Sequence, residues 1–294
     1  MTAFVILHYR AIDTTRKCVE SIKALAGAKH IVIVDNASPN GTGAELAQEF
    51  ASDPYVDVIL NPDNSGFARG NNLGVRYVAD ELDAERIKAR DLLFSGQVDQ
   101  SVELAEAALE RMDRLFASNP GVPRYFNSYA ERVIYNRMFA TEGERTVLIP
   151  DNLFYAHMEL ADVLAQVKGV KAALPHLNAM VRYAPAYPLS HLKLAVQLAR
   201  AEDWDPARAA CLNALHVALD REDASFAYYR LAYAEWMCDH FDIAAAAYIM
   251  SEEIAPGRIA MLESELQELI GRAQSQCIPV PTDVPEAMHV LTQA

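Results

Sequence analysis

The polar residues with the most chemical promise fall in three short runs near the start of the chain. Tyr9 follows one apolar run and Asp35 follows a second. The third run is the glycine- and asparagine-rich stretch Asn61-Pro62-Asp63-Asn64-Ser65-Gly66-Phe67-Ala68-Arg69-Gly70-Asn71-Asn72-Leu73-Gly74. An aromatic ring can stack on a nucleobase. A carboxylate can accept hydrogen bonds from a base N–H or a ribose hydroxyl. Backbone N–H groups at a glycine-rich helix start suit phosphate oxygens. The three runs therefore suit a nucleotide, although the same residue types also build the ordinary turns of α/β proteins.

The elements that must position these residues can be read from apolar patterning. Phe4–His8 and Ile31-Val32-Ile33-Val34 are short continuous apolar runs, the mark of strands buried on both faces. Val56–Leu60 reads as a third strand. Asp13-Thr14-Thr15 is placed to cap a helix with apolar positions Cys18, Val19, Ile22 and Leu25, and Thr42–Phe50 reads as a short second helix. Gly66–Val78 reads as the opening of a third. Strands alternating with helices predict a parallel sheet, and ligands of such sheets sit beyond the carboxyl ends of the strands. Tyr9, Asp35 and the Asn61–Asn72 stretch all fall there.

The runs His8-Tyr9-Arg10, Val32-Ile33-Val34-Asp35-Asn36-Ala37-Ser38 and Asn64–Gly74, in this order, resemble the start of a family 2 glycosyltransferase of the GT-A fold, nearest its rhamnosyltransferase-like branch. The resemblance covers residues 3–78. It implies that Tyr9, Asp35 and Asn36 face the base and ribose of a nucleotide diphosphate. It also implies that the Gly66–Gly74 loop lies near the sugar nucleotide, with Arg69 and Asn72 as its polar contacts. That family continues into a strand with an Asp-x-Asp-like motif, whose divalent metal offsets the charge of the leaving diphosphate, and then into a catalytic base and an acceptor-binding half. Here Gly74–Val78 runs into the charged helical stretch Ala79–Arg86. Asp203-Trp204-Asp205 has the letters of the motif but sits between two helices, and Glu222-Asp223 reads as a solvated loop. Mg²⁺ or Mn²⁺ is accordingly expected only together with a bound nucleotide sugar.

Beyond residue 80 the chain repeats itself. Leu160-Ala161 recurs as Leu194-Ala195 and Leu231-Ala232. Ala173, Ala207 and Ala244 follow at one spacing, then Leu177, Cys211 and Tyr248, then Pro185, Leu219 and Pro256. The windows are offset by 34 and then 37 residues, the excess lying near Arg221–Ala224. Small residues where helices cross, larger ones beside them and a closing proline resemble tetratricopeptide (TPR) repeats. A weaker unit spans Ala84–Phe116 with Ala89, Leu92, Gly96, Ser101 and Ala108. Arg124–Phe139 reads as a helix after the break Asn119–Pro123, Glu142–Asp151 as a loop, and Ala260–Gln274 as a capping helix. The resemblance implies a superhelix with a concave face for a protein or peptide. His157, His191, Tyr228 and Arg230 are expected among its contact residues, and Trp204 and Trp236 are expected to fill repeat cores.

The fold expected is thus mainly α: a TPR-like helical solenoid over residues 80–276, preceded by a small α/β segment with a three-stranded parallel sheet over 1–79, and followed by a loosely held tail over 277–294. The formal net charge is −14. Residues 1–80 contribute 7 Lys/Arg and 9 Asp/Glu, so −12 falls on the helical part. This balance argues against nucleic acid and anionic membrane surfaces. Cys18, Cys211, Cys238 and Cys277 form no metal-spaced set and read as reduced thiols, which together with the lack of a long apolar run leads to an expected cytoplasmic location. The first strand is expected at a sheet edge, covered by the first repeat helices, by Thr146–Ile149, or by a second copy of the chain in a homodimer. Three functions follow: a glycosyltransferase-like module without metal motif or acceptor half on a protein-binding scaffold, a working glycosyltransferase whose repeats present the acceptor, or a pure adaptor.

Overall fold

Four apolar β-branched residues in succession leave a strand no face for water, and Ile31–Val34 are completely buried. In the computed structural model, which describes residues 2–25, 29–117 and 121–293, they form the middle of β2 (Lys29–Asp35). It lies between β1 (Thr2–His8) and β3 (Val56–Leu60) in a parallel sheet of order β1-β2-β3. Phe4 pairs with Ile31, His8 with Asp35, and Asp35 with Leu60, so the strands end together and bring their carboxyl ends to one rim.

Side chains alternate across the sheet. Ile31 and Ile33 join Val19, Ile22 and Leu46 of α1 (Ile12–Lys23) and α2 (Thr42–Glu49), with Phe4 and Ile6 packed beside them. The other face, Val5, Leu7 and Val34, meets glycine. A Cβ on Gly70 would lie 2.4 Å from Leu7 Cδ1, and one on Gly74 would lie 2.4 Å from Val5 Cγ1. Four residues apart, the two glycines share one helix face and let the backbone rest directly on β1 and β2.

α3 opens at Gly66, as expected, and runs unbroken to Phe94, 29 residues. The stretch 66–74, a loop near the sugar nucleotide by the resemblance, forms its opening turns, and the expected boundary after residue 79 falls inside it. α3 forms a hairpin with α4 (Val98–Ala117) through Gly96, whose φ is +81°. The buried Ser101 Oγ donates to the Ala89 carbonyl at 2.6 Å, so the small residues of the weaker repeat unit do meet at a helix crossing. Both α3 and α4 pack against β1. The expected cap of α1 is also different: the helix begins at Ile12 without a side-chain cap, because Thr15 is turned toward His8.

The chain divides into two compact units, Met1–Pro123 and Arg124–Ala294. Of the break expected at 119–123, residues 119 and 120 lie outside the described residues. β4 (Val122–Arg124) pairs with β5 (Thr146–Leu148). The Ile149 N–H donates to the Arg124 carbonyl at 3.0 Å. Thr146–Leu148 therefore pairs with this strand and not with β1. The helix expected from Arg124 starts later, as α5 (Tyr129–Met138). Ser128 Oγ accepts from the Glu131 N–H at 3.2 Å while the Glu131 carboxylate accepts from the Asn127 N–H at 2.8 Å. This reciprocal capping fixes the start of the helix.

The rest of the second unit is helical: α6 (Asp151–Val167), α7 (Val170–Tyr183), α8 (Pro188–Arg200), α9 (Trp204–Val217), α10 (Arg221–Met237), α11 (Phe241–Ile254), α12 (Leu262–Ser275) and α13 (Val284–Gln293). α6 packs on α7, α8 on α9, and α10 on α11. At each crossing the repeat residues are buried: Ala161, Ala173 and Leu177; Ala195, Ala207 and Cys211; Ala232, Ala244 and Tyr248. Arg221–Ala224 is the first turn of α10, capped by Asp220 Oδ1, which accepts from the Asp223 N–H at 2.8 Å, and not a solvated loop. The tail is better held than expected: α13 packs on α11 and buries Ala287 completely. Among the described residues no helix is long and apolar enough to cross a membrane.

Candidate functional site

The rim of the sheet is organised by two buried side chains. At the end of β1, His8 is enclosed, with Nδ1 2.8 Å from Thr15 Oγ1 and Nε2 2.9 Å from Thr42 Oγ1. The Thr42 hydroxyl donates to Asn40 Oδ1 at 2.8 Å. Its oxygen is therefore left to accept from His8 Nε2–H. Burial favours the uncharged ring, in which Nδ1 accepts from the Thr15 hydroxyl at 2.8 Å, the shorter of that hydroxyl's contacts, the other being the Ala11 carbonyl at 3.3 Å. Burial pushes the imidazole below its ordinary range, with Asp35 opposing in part. His8 thereby ties β1 to α1 and α2.

At the end of β2, Asp35 is 5% exposed. Among the described residues its carboxylate accepts from the Ser38 N–H alone, at 3.3 and 3.2 Å, and His8 Nε2 stands 3.9 Å away. It lies against Gly43, where a Cβ would fall 2.1 Å from Oδ2, so no larger residue fits there without displacement. Asn36, also buried, organises the loop after β3. Its Nδ2 donates to Asn64 Oδ1 at 2.7 Å, and its Oδ1 accepts from Asn61 Nδ2 at 3.0 Å and from the Ser65 N–H at 3.3 Å. Asn61 Nδ2 also donates to Ser65 Oγ at 3.0 Å.

The turn after β1 is clamped as well. Ser38 Oγ accepts from the Arg10 N–H at 2.9 Å, and Asn40 Nδ2 donates to the Arg10 carbonyl at 3.1 Å. Arg10 and Ala37 hold φ of 65° and 56°. For residues bearing a Cβ this left-handed conformation costs about 1 kcal/mol each. Strain of this kind gathers where a fold fixes a working surface. Tyr9 is exposed, with the Arg10 guanidinium 4.8 Å from its ring centre.

Of the five residues expected at a nucleotide, Tyr9, Asp35 and Asn36 therefore meet on one rim, but in different roles. Asn36 spends its side chain on the 61–66 loop. Arg69 and Asn72 are exposed on α3 and form no hydrogen bond with described residues. Sequence reasoning gave no role to His8 or Gly43. The signal for Gly43 was a glycine one residue into a helix, where its freedom of φ is not needed.

In the second unit, His157 and His191 are buried and do not face a partner. His157 Nδ1 lies 3.0 Å from His176 Nδ1, and His191 Nε2 lies 2.8 Å from the Pro185 carbonyl. Burial lowers the pKa of His191. Tyr228 and Arg230 are half-buried. Glu235, buried, forms an ion pair with Arg208, 2.8 Å from its Nε, and contacts His240 Nδ1 at 2.7 Å. Trp236 is in the core as expected, while Trp204 stacks edge-on against Tyr233 beside a cavity. A groove of about 790 Å³ is lined by α6, α8 and α10. Burial raises the Cys211 thiol to about 12, and all four cysteines are free. Asp205, of the Asp203-Trp204-Asp205 run, pairs with Arg208 at 3.2 Å. Among the described residues no three His, Cys, Asp or Glu side chains stand together as metal ligands.

The rim falls within the part of the chain that has known relatives. Over 85 residues, 29% of this chain, it is 31% identical to the low-salt glycan biosynthesis hexosyltransferase Agl10 of Haloferax volcanii. The chain spans 25% of that relative's length. Residues 3–82, from β1 into α3, match the family model described as glycosyl transferase family 2.

Proposed function

We propose that the first unit carries the nucleotide-binding part of a family 2, GT-A-like glycosyltransferase site, and that the second is a TPR-like scaffold for a protein partner. The observation that carries the first half is the carboxylate of Asp35. It is buried, fixed against Gly43, and supplied by the chain with only one weakly placed donor. A buried carboxylate is stable only when its lone pairs are met, and a ribose hydroxyl or base N–H supplies what is missing. Tyr9 offers a ring on the same rim, and the loop held by Asn36 gives that rim a rigid wall. The hexosyltransferase likeness over this segment supports a sugar nucleotide as the ligand.

The second half rests on the three helix pairs, whose repeat positions are filled by buried small residues at offsets of 34 and 37 residues. The chain then acts as a glycosyltransferase-like protein that lacks the metal motif and acceptor half and presents a protein-binding surface. Calorimetric titration of the full chain with uridine and deoxythymidine diphosphates, with and without Mn²⁺, tests the reading. Weak binding indifferent to Mn²⁺ is expected. Binding strengthened by Mn²⁺, with nucleotide released from a sugar donor, would show a working transferase instead. Absence of binding to either nucleotide would leave the rim without its proposed role.

A further inference from the structure

Two cavities of the second unit adjoin. The first, about 790 Å³, and the second, about 550 Å³, share Val196, Arg200 and Arg230 as lining residues. Two arginines therefore line the place where the cavities meet. The other cations of the first cavity are already paired: Lys193 with Asp162 at 2.7 Å and Arg258 with Glu222 at 2.7 Å. In the second, Glu265 is engaged by the Tyr229 and Tyr248 hydroxyls at 3.0 and 2.8 Å. Among the described residues Arg200 and Arg230 have no carboxylate partner.

Arg230 is held in this unpaired state by its surroundings. Its guanidinium lies 5.0 Å from the Phe226 ring centre and 5.3 Å from that of Tyr229. Its Nε is shielded from solvent without an acceptor. Aromatic stacking orients the planar fork, and a shielded donor without an acceptor is costly. One helix away, Gln197 is 4% exposed, and its Oε1 is also shielded without a donor. Asp223, the remaining carboxylate of the first cavity, sits two turns before Arg230 on α10, about 10 Å along the axis. Its pKa is raised, first by burial and then by Asp220 and Glu222.

We infer that the junction of these cavities binds a peptide segment bearing an aspartate or glutamate side chain flanked by apolar residues. The carboxylate would lie between Arg200 and Arg230, and a peptide N–H would reach Gln197. This rests on the reading of the second unit as a peptide-binding scaffold and names the chemistry of its partner. A free inorganic anion would answer the arginines but not Gln197, which needs a donor. A peptide carries both groups, and the apolar walls, Leu192 and Ile259 on one side and Trp204 and Met237 on the other, receive its neighbours. The chain as a whole is −14, so general electrostatics repel an acidic peptide, and any preference for one must come from this local pair.

The test uses the full chain and three fluorescein-labelled peptides. They share one Gly/Ser/Leu/Phe frame, with glutamate, glutamine or lysine at the same positions, and are read by fluorescence anisotropy. The glutamate peptide is expected to bind at least about tenfold more tightly than the glutamine one, and Arg230→Gln and Arg200→Gln are each expected to remove most of that preference. Arg200 is exposed, so its variant keeps the test alive should Arg230→Gln fail to fold. Equal binding of all three peptides, tighter binding of the lysine peptide, or a glutamate preference that survives both substitutions would overturn the inference while leaving a peptide scaffold in place. No binding by any of the three would overturn both.

Discussion

Gly43→Ala is the sharpest single perturbation of the rim, because its outcome can be worked from distances. The new methyl carbon would stand 2.1 Å from Asp35 Oδ2, 2.2 Å from Cγ and 2.8 Å from Cβ. Ordinary van der Waals contact begins near 3.4 Å, so relief requires a movement of about 1 Å. Asp35 cannot supply it from its backbone, which is paired to β1 on one side and β3 on the other. Swinging the carboxylate away gives up the Ser38 N–H, and moving α2 stretches the 2.9 Å contact between His8 and Thr42. Overpacking of this kind costs about 1–3 kcal/mol, against a gain of up to about 1 kcal/mol from alanine's helix propensity. The net loss is about 1–2 kcal/mol, which corresponds to roughly fivefold to thirtyfold faster amide exchange. Hydrogen-exchange mass spectrometry of peptides covering β2 reads it locally. Gly271→Ala in α12 is the control: nothing lies within 4 Å of its Cβ. The same substitution there should stabilise by about 0.5–1 kcal/mol, read by fluorescence of Trp204 and Trp236, both in the second unit. Unchanged or slower exchange over β2 in Gly43→Ala would refute the tight seat of Asp35, and with it the ground for a nucleotide at this rim.

Asn36→Ala removes the shared partner of Asn61, Asn64 and Ser65. It should cost about 2–3 kcal/mol, with exchange rising over residues 61–66 before the rest of the unit and nucleotide affinity falling in the same titration. Glu235→Ala strips Arg208 and His240 of their buried carboxylate. A loss of about 2–3 kcal/mol in urea denaturation followed by tryptophan fluorescence is expected, and a variant of wild-type stability would show the pair to be dispensable. His191 has its pKa lowered by burial from 6.5, so between that lowered value and 6.5 the unfolded chain binds more protons. Its contribution is therefore whole above 6.5 and is lost as pH falls through the lowered value. His191→Gln, which keeps a donor for the Pro185 carbonyl, should flatten the fall in Tm of the second unit between about pH 7 and 5; an unchanged slope would place the titration elsewhere.

What the sequence made legible follows from how local each signal is. Ile31–Val34 announced a buried strand because an unbroken apolar run tolerates no solvent face, and the three-strand parallel order followed from the alternation of elements. The repeat positions were legible for a similar reason: a crossing that admits only small residues leaves the same letters at each recurrence, and Ala161, Ala195 and Ala232 are all buried. The length of α3 was not legible. Gly66, Gly70 and Gly74 carry the composition of a loop, and only the presence of Leu7, Val5 and Val34 across the gap turns two of them into a packing face. His157 and His191 were misplaced because a polar letter suggests a surface, whereas each finds an acceptor or donor inside. The start of α5 did have its signal, the Ser128-x-x-Glu131 pattern, which marks a capped helix ahead of Tyr135, its first core tyrosine.

The surroundings of Asp35 explain why the proposed function rests on it. A carboxylate placed in the interior is ordinarily matched by a lysine or arginine, or by several amide donors. Among the described residues the one basic group within 4 Å of Asp35 is His8, and burial holds that imidazole toward its neutral form while Thr15 and Thr42 occupy both of its nitrogens. Gly43 leaves room for the Asp35 carboxylate, and Arg10 and Ala37 accept a left-handed backbone on either side. The sparsely matched carboxylate and the two left-handed residues each cost stability. Arranged together at the carboxyl ends of parallel strands, beside an exposed aromatic ring, they are compensated when a ligand brings the missing donors. Any side chain at position 43 would take the seat that the carboxylate occupies, because its Cβ would overlap Asp35 Oδ2 and Cγ.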